Sequence, residues 1–327
     1  MTDADTAAAL HPFYRAIIDA YAQAGRPFFH QLSPGDARAM LDASLAAAPS
    51  PVNLPQLAEI IDAVIPGPHG PIPIRRYRPQ GGVLGQCLYF HSGGWVLGGL
   101  DQADTTCRRL AAAAGCEVIS VAYRLAPEHP FPQPLDDAYA ALTWAADRGP
   151  PLVIAGESAG GNLVAACAIR ARDEGMAAIA GMFLGYPVTD AALDTASYKE
   201  IGDRNWLLST KDMAWFWDQY CPDGIDRSHP WLSPLRVADA AHLPPTMICL
   251  AELDPLREEG LAFADRLSAS GVPVVLRRDA AVTHGYLAAA GILDVSTAAL
   301  AQAGEWIRTT LHAASTRETQ TGGRDGA

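Results

Sequence analysis

Charge is scarce in this sequence and unbalanced: Asp, Glu, Lys and Arg make up 18% of 327 residues, and the formal net charge is −12. An acidic balance argues against nucleic acid or an anionic membrane as a partner, because both attract basic surfaces. A Cys-x-x-Cys pair is also missing. The six cysteines (Cys87, Cys107, Cys116, Cys167, Cys221 and Cys249) are scattered among mostly apolar neighbours. They read as small core residues in a reducing compartment, not as a disulfide framework. No apolar run approaches the ~20 residues needed to span a bilayer. The first residues, Met-Thr-Asp-Ala-Asp, lack the charged-then-apolar order of a signal peptide. Together these absences lead to the expectation of a soluble, cytoplasmic protein without a membrane partner. Internal repeats and low-complexity segments are absent from the body as well.

What is present is a strongly apolar chain: 49% of residues are hydrophobic. At about 300 residues, folding buries roughly three quarters of the unfolded surface, enough for one large core. Residues 1–50 show helical spacing, through Phe13, Ile17, Ile18 and Tyr21 and again through Met40, Leu41 and Leu45. A hairpin signature follows, with Ala58–Ile65 and Ile72–Tyr77 flanking the turn Gly67-Pro-His-Gly70. Short apolar runs then alternate with helical stretches. The runs are 87–90, 118–123, 152–155, 180–184, 246–251 and 274–277. The helical stretches lie near 101–114, 134–147, 159–174, 256–270 and 296–312. This alternation predicts an α/β fold, a mostly parallel sheet flanked by helices. Residues 190–236 interrupt it, carrying four of the seven tryptophans and no convincing strand. They read as an inserted helical lid. The expected organisation is therefore 1–50 as part of a helical cap, 51–189 and 237–313 as the core, and 190–236 as the cap insertion. The polar, Gly-rich residues 314–327 read as a disordered tail.

The run Gly156-Glu157-Ser158-Ala159-Gly160 sits between an apolar strand and a helix. A G-x-S-x-G motif in that context is a sharp turn that presents the serine hydroxyl at a helix N-terminus. A serine hydroxyl is a weak nucleophile until a base takes its proton and a third group orients the base. Asp254 follows the apolar strand 246–251, and His284 follows the run 274–277. Their order after Ser158 is the one this turn requires. His129, His229 and His242 lie in Pro-containing connections before Asp254 and compete less well. The oxyanion hole needs backbone N–H donors. Ala159 supplies one, and the loop His91-Ser92-Gly93-Gly94-Trp95 is the second source.

These residues resemble the hormone-sensitive-lipase-like (bacterial family IV) carboxylesterases of the α/β-hydrolase superfamily. The resemblance covers about residues 85 to 312. Its H-G-G-G-[FW] motif corresponds to His91–Trp95, and D-Y-R-L-A-P-E-H-P-F-P to Ala122 through Pro132. G-D-S-A-G-G corresponds to Gly156 through Gly161, D-P-L to Asp254–Leu256, and H-G-F to His284–Tyr286. It implies an α/β-hydrolase fold with a helical cap, and Ser158, Asp254 and His284 as catalytic residues. It also implies Gly93, Gly94 and Ala159 as oxyanion donors, no metal or organic cofactor, and a small-molecule ester of short-to-medium acyl chain as substrate. Amides, carbamates and thioesters are alternatives that the same residues would serve, and a non-catalytic small-molecule receptor is a remote one. A homodimer is the candidate assembly. Trp95, Trp206, Leu208, Trp215 and Tyr286 are candidate pocket-lining residues. Three positions depart from the family pattern: Ser92 replaces a glycine, Glu157 an aspartate and Ala122 an aspartate.

Overall fold

Period-two alternation divides each central strand between two cores. In β3 (Gln86–Phe90), Leu88 and Phe90 face one buried cluster while Cys87 and Tyr89 face the other. In β5 (Leu152–Glu157), Leu152 and Ile154 divide from Val153 and Ala155 in the same way. A sheet buried on both faces needs helices on both sides. The computed structural model, which describes residues 10–47, 52–149, 151–176, 179–204 and 206–322, has that architecture.

Eight strands form one sheet. Beyond β3 and β5 these are β1 (Glu59–Ile65), β2 (Ile72–Arg78), β4 (Glu117–Val121), β6 (Ile179–Gly185), β7 (Thr246–Leu253) and β8 (Val274–Thr283). Their order is β1-β2-β4-β3-β5-β6-β7-β8. β2 pairs antiparallel with both β1 and β4, and every pair from β4 to β8 is parallel. The expected hairpin thus forms the antiparallel edge of a parallel sheet. The N-terminal helices are α1 (Pro12–Gln23) and α2 (Pro34–Ala47). α3 (Leu100–Ala114) packs with α9 (Asp294–Gly322) on one face, and α4 (Gln133–Ala146) with α5 (Ala159–Asp173) on the other. α8 (Arg257–Ala269) follows β7.

Between β6 and β7 the chain forms α6 (Ala196–Glu200), α7 (Thr210–Tyr220) and short 3-10 turns, with no strand among its described residues. A reciprocal capping box starts α7: Asp212 N–H donates to Ser209 Oγ at 3.1 Å, and Ser209 N–H to Asp212 Oδ2 at 3.2 Å. The same Asp212 accepts from the backbone of His30 at 3.0 Å, tying the N-terminal segment to this insertion. Phe29 and Phe216 add a ring contact at 5.7 Å. From α2, Arg38 reaches the core and donates to Val96 O at 2.9 Å, to Ala126 O at 2.8 Å and to the Glu128 carboxylate.

All six cysteines are buried and free. No helix among the described residues is long and apolar enough to cross a membrane. One expectation needs correction: α9 continues to Gly322, through the stretch from 314 that composition assigns to a disordered tail. Ala299, Leu300, Ala303, Ile307 and Leu311 bury one face of that helix. Beyond them the helical spacing persists, with the Ser315 hydroxyl bonding back to Leu311 O at 3.1 Å. Residues 323–327 of the expected tail, and 1–9 and 48–50 of the expected N-terminal cap segment, lie outside the described residues.

Candidate active site

β5 ends at Glu157 and α5 begins at Ala159, so Ser158 alone makes the turn, at φ 55 and ψ −120. That is a costly conformation for a side-chain-bearing residue, and the surroundings must hold it. Ser158 N–H donates to Gly185 O at 2.8 Å, and its carbonyl accepts from Asn162 N at 3.0 Å and Val188 N at 3.2 Å. Gly160 lets α5 approach β3, since a Cβ there would run into the carbonyl oxygen of Phe90. The Asn162 amide is fully buried and donates to Val188 O at 3.0 Å and Leu232 O at 2.7 Å.

His284 follows the end of β8, and its Nε2 lies 2.9 Å from Ser158 Oγ. Its Nδ1 lies 2.8 Å from Asp254 Oδ2. Asp254, just beyond β7, is fully buried, and its Oδ1 accepts from Leu256 N–H at 2.9 Å. The carboxylate is therefore oriented by the backbone, the imidazole by the carboxylate, and the hydroxyl by the imidazole. The structure brings all three sequence-chosen residues together.

The Gly93–Gly94 loop lies beside them. Gly93 (φ 121) and Gly94 (φ 59) both occupy left-handed space. At Gly94 a Cβ would also run into the ring of Phe216. The loop is fixed from below: Tyr123 donates to His91 O at 2.8 Å and stacks on the His91 ring at 4.2 Å. Burial lowers the His91 pKa to about 4, so its ring is neutral and donates from Nδ1 to Ser92 O at 2.7 Å. The Ser92 hydroxyl accepts from the Gln102 amide at 3.2 Å and thereby ties the loop to α3. Ala159 occupies the first position of α5, where backbone N–H groups have no intrahelical acceptor.

Glu157 lies beneath the site. Burial raises its pKa, while the hydroxyls of Tyr186 and Tyr89 both donate to it, the latter at 2.6 Å. The Tyr186 ring in turn meets the His284 ring edge-on at 4.8 Å. Arg124, two residues beyond Ala122, is held by Asp137, which accepts from its guanidinium at 2.6 Å and from its backbone N–H at 3.0 Å.

The candidate pocket residues divide. Trp206 lines a cavity of about 240 Å³ together with Phe28, Phe29 and Met40. Trp95 and Tyr286 are corrections: both are fully buried and leave no surface for a ligand. Trp95 stacks on Tyr220 at 4.3 Å, and Tyr286 donates to Asp279 at 2.5 Å. Leu208, 7% exposed, also belongs to the core, and its neighbour Leu207 lines the cavities instead. Trp215 is partly buried and packs on Phe216 at 5.0 Å. A larger apolar cavity of about 1040 Å³ opens on His284 and Gly285, between α1, α2 and the residues after β8. Among the described residues, no group of three or more His, Cys, Asp or Glu is arranged to hold a metal ion. Sequence reasoning missed Tyr186, which meets the His284 ring, Asn162, which holds the Ser158 turn, and Phe216, which lies against Gly94. Only Tyr186, polar and placed just after β6, carried a positional signal.

A family model for the alpha/beta hydrolase fold matches residues 87–288. The chain belongs to the α/β-hydrolase fold family, in its hormone-sensitive-lipase-like branch. It is 42% identical over 248 residues to the carboxylic ester hydrolase LipN of Mycobacterium tuberculosis, a match covering 71% of this chain and 66% of that one. With the esterase LipI of the same organism it shares 37% identity over 322 residues, 94% of this chain and 98% of that one. A thermostable esterase from Pseudomonas putida superposes with a TM-score of 0.87 at 35% identity, over 93% of this chain and 98% of that one.

Proposed function

We propose that this chain is a serine carboxylesterase that hydrolyses short-to-medium acyl esters through an acyl-enzyme. The observation that carries the reading is the unbroken chain of contacts from Asp254 through His284 to Ser158 Oγ, at 2.8 and 2.9 Å, on a strained turn. His284 Nε2 takes the Ser158 proton as the oxygen attacks the ester carbonyl. Asp254 keeps the other ring proton on Nδ1 and stabilises the imidazolium that forms. The Gly93, Gly94 and Ala159 N–H groups donate to the oxyanion. The imidazolium then protonates the departing alkoxide, and a water, deprotonated by the same imidazole, releases the acid.

The N-terminal segment and the insertion serve together as a cap. Their joint contacts through His30–Asp212 and Phe29–Phe216 support this. The Phe216 ring against Gly94 narrows the space beside the oxyanion donors, which favours a small acyl group. The esterase names of the relatives agree with this reading.

Ser158→Ala is expected to reduce hydrolysis of p-nitrophenyl butyrate by about 10⁴–10⁶-fold. It should also abolish covalent labelling by an organophosphonate while the protein stays folded. Near-wild-type turnover in that variant would end the proposal.

A further inference from the structure

The cavity that opens on His284 is apolar along most of its wall, yet Arg26 lines it, and Arg26 also lines the smaller cavity beside it. Its position is set by the end of α1. Gly25 turns left-handed at φ 59, Gly25 N–H donates to Ala22 O at 3.1 Å, and Arg26 N–H returns to Tyr21 O at 3.0 Å. This double closure is a Schellman motif, which folds the residue after the glycine back over the last turn. The guanidinium accordingly lies over the Tyr21 ring at 3.9 Å, and its Nε–H donates to Met40 Sδ at 3.3 Å. Among the described residues no carboxylate pairs with it. The two acids that share these cavities are already engaged: Asp36 accepts from the Ser33 hydroxyl at 2.7 Å. Asp212 is held by His30 at 2.8 Å and by the Ser209 hydroxyl at 2.7 Å. Arg26 is half-buried, so its guanidinium stands at the open wall of an apolar cavity with its charge unpaired among the described residues.

We propose that Arg26 determines specificity by binding a carboxylate carried on the alcohol half of the ester, with an apolar segment between that carboxylate and the scissile bond. The assignment to the alcohol half rests on the esterase reading above. The base that protonates the leaving alkoxide is His284, and His284 is where the large cavity opens. The Phe216 ring lies against Gly94, on the oxyanion loop, and is not part of that cavity's wall. The guanidinium offers a carboxylate two parallel N–H donors, and the Tyr21 face holds its plane in place.

The test compares 4-(acetoxymethyl)benzoate with its neutral amide, 4-carbamoylbenzyl acetate, and with benzyl hydrogen succinate, whose carboxylate is on the acyl half. In the wild type, kcat/KM for the first is expected to exceed that for the amide by about tenfold to a hundredfold, the scale of a charge-assisted contact. The difference should lie in KM and shrink at high salt. Arg26→Gln should bring the ratio near one, Arg26→Lys should restore part of it, and the succinate should gain no such advantage. Calorimetric binding of 4-(hydroxymethyl)benzoate, present in the wild type and lost in Arg26→Gln, reads the site without turnover. A wild-type ratio at or below one, or the same ratio in Arg26→Gln, overturns the proposal. Binding of the acid by a wild type that cleaves no ester, p-nitrophenyl acetate included, would instead overturn the esterase reading.

Discussion

Asp254→Asn removes one charge and leaves the shape of the side chain almost unchanged, so its effect isolates what the carboxylate does. In the native site both oxygens accept: Oδ1 from the Leu256 backbone N–H at 2.9 Å, and Oδ2 from His284 at 2.8 Å. An asparagine has only one acceptor atom. If its NH₂ faced Leu256, two donors would confront each other in a fully buried place, at a cost of about 1–3 kcal/mol. The backbone donor cannot move, so the oxygen goes to Leu256 and the NH₂ faces His284 Nδ1. The imidazole must then accept at Nδ1 and carry its proton on Nε2, pointing at Ser158. It is no longer a base for that hydroxyl. A reversed tautomer of this kind costs about 10⁴ in kcat, or about 5.5 kcal/mol of transition-state stabilisation. The assay is steady-state hydrolysis of p-nitrophenyl butyrate, with melting temperature as the control for folding. The expected result is a loss near 10⁴ in kcat, little change in KM and a native melting profile. A loss below about tenfold in a folded variant would refute the argument that Asp254 sets the tautomer.

Glu259 gives a stability test with a defined sign. Burial raises its pKa from 4.5 to about 8, so between those values the folded chain keeps a proton that the unfolded chain has lost. Its contribution is greatest below pH 4.5 and declines as pH rises to about 8. Melting curves of Glu259→Gln should lose that component of the decline, and identical pH dependence in both proteins would contradict it. Gly160→Ala should destabilise more than Gly94→Ala, because its new methyl meets the backbone carbonyls of Phe90 and His91, whereas at Gly94, despite its left-handed φ of 59, it meets a side chain, Phe216, that can shift as a whole. Denaturant titration should show that order, and the reverse order would refute it. Arg38→Ala removes contacts to Val96 O and Ala126 O as well as the partly exposed Glu128 pair. It should cost about 1–3 kcal/mol, whereas Glu128→Gln should cost under about 1 kcal/mol. Equal losses by chemical denaturation would show that the ion pair dominates.

Much of the fold was legible because burial on both sheet faces leaves a one-dimensional trace: short apolar runs, separated by helices, each with its two faces alternating. The site was legible for a related reason. Ser158, Asp254 and His284 each follow a strand, and a parallel sheet gathers the ends of its strands on one side. Pocket lining left no such trace. Trp95, Tyr286 and Leu208 are apolar or aromatic residues in turns or a short 3-10 helix, and such a residue reads the same whether an empty chamber or another ring lies opposite. Leu207 and Leu208 differ only in which way a turn aims them. Arg124 shows the same limit, since the acid that pairs with it, Asp137, comes from α4, thirteen residues away. The helix beyond 314 was misread because its polar composition resembles that of a tail, while its continuity comes from the buried turns before it.

The insertion between β6 and β7 leaves the core and returns to it at one place. Leu235 N–H donates to Thr189 O at 2.9 Å, Ala191 N–H to Ser233 Oγ at 3.0 Å, and Arg236 pairs with Asp190 at 2.6 Å. Asn162, four residues past the nucleophile, closes the same neck through Val188 and Leu232. Fastening both ends together fixes where the chain leaves the sheet after β6 and where it returns before β7. Its middle is not independent of the core, because Phe216 lies against Gly94 and Tyr220 stacks on Trp95 at 4.3 Å. A chimera that exchanges this segment therefore has to keep Leu232 and Ser233 to close the neck, and rings at 216 and 220 to hold the loop that carries Gly93 and Gly94.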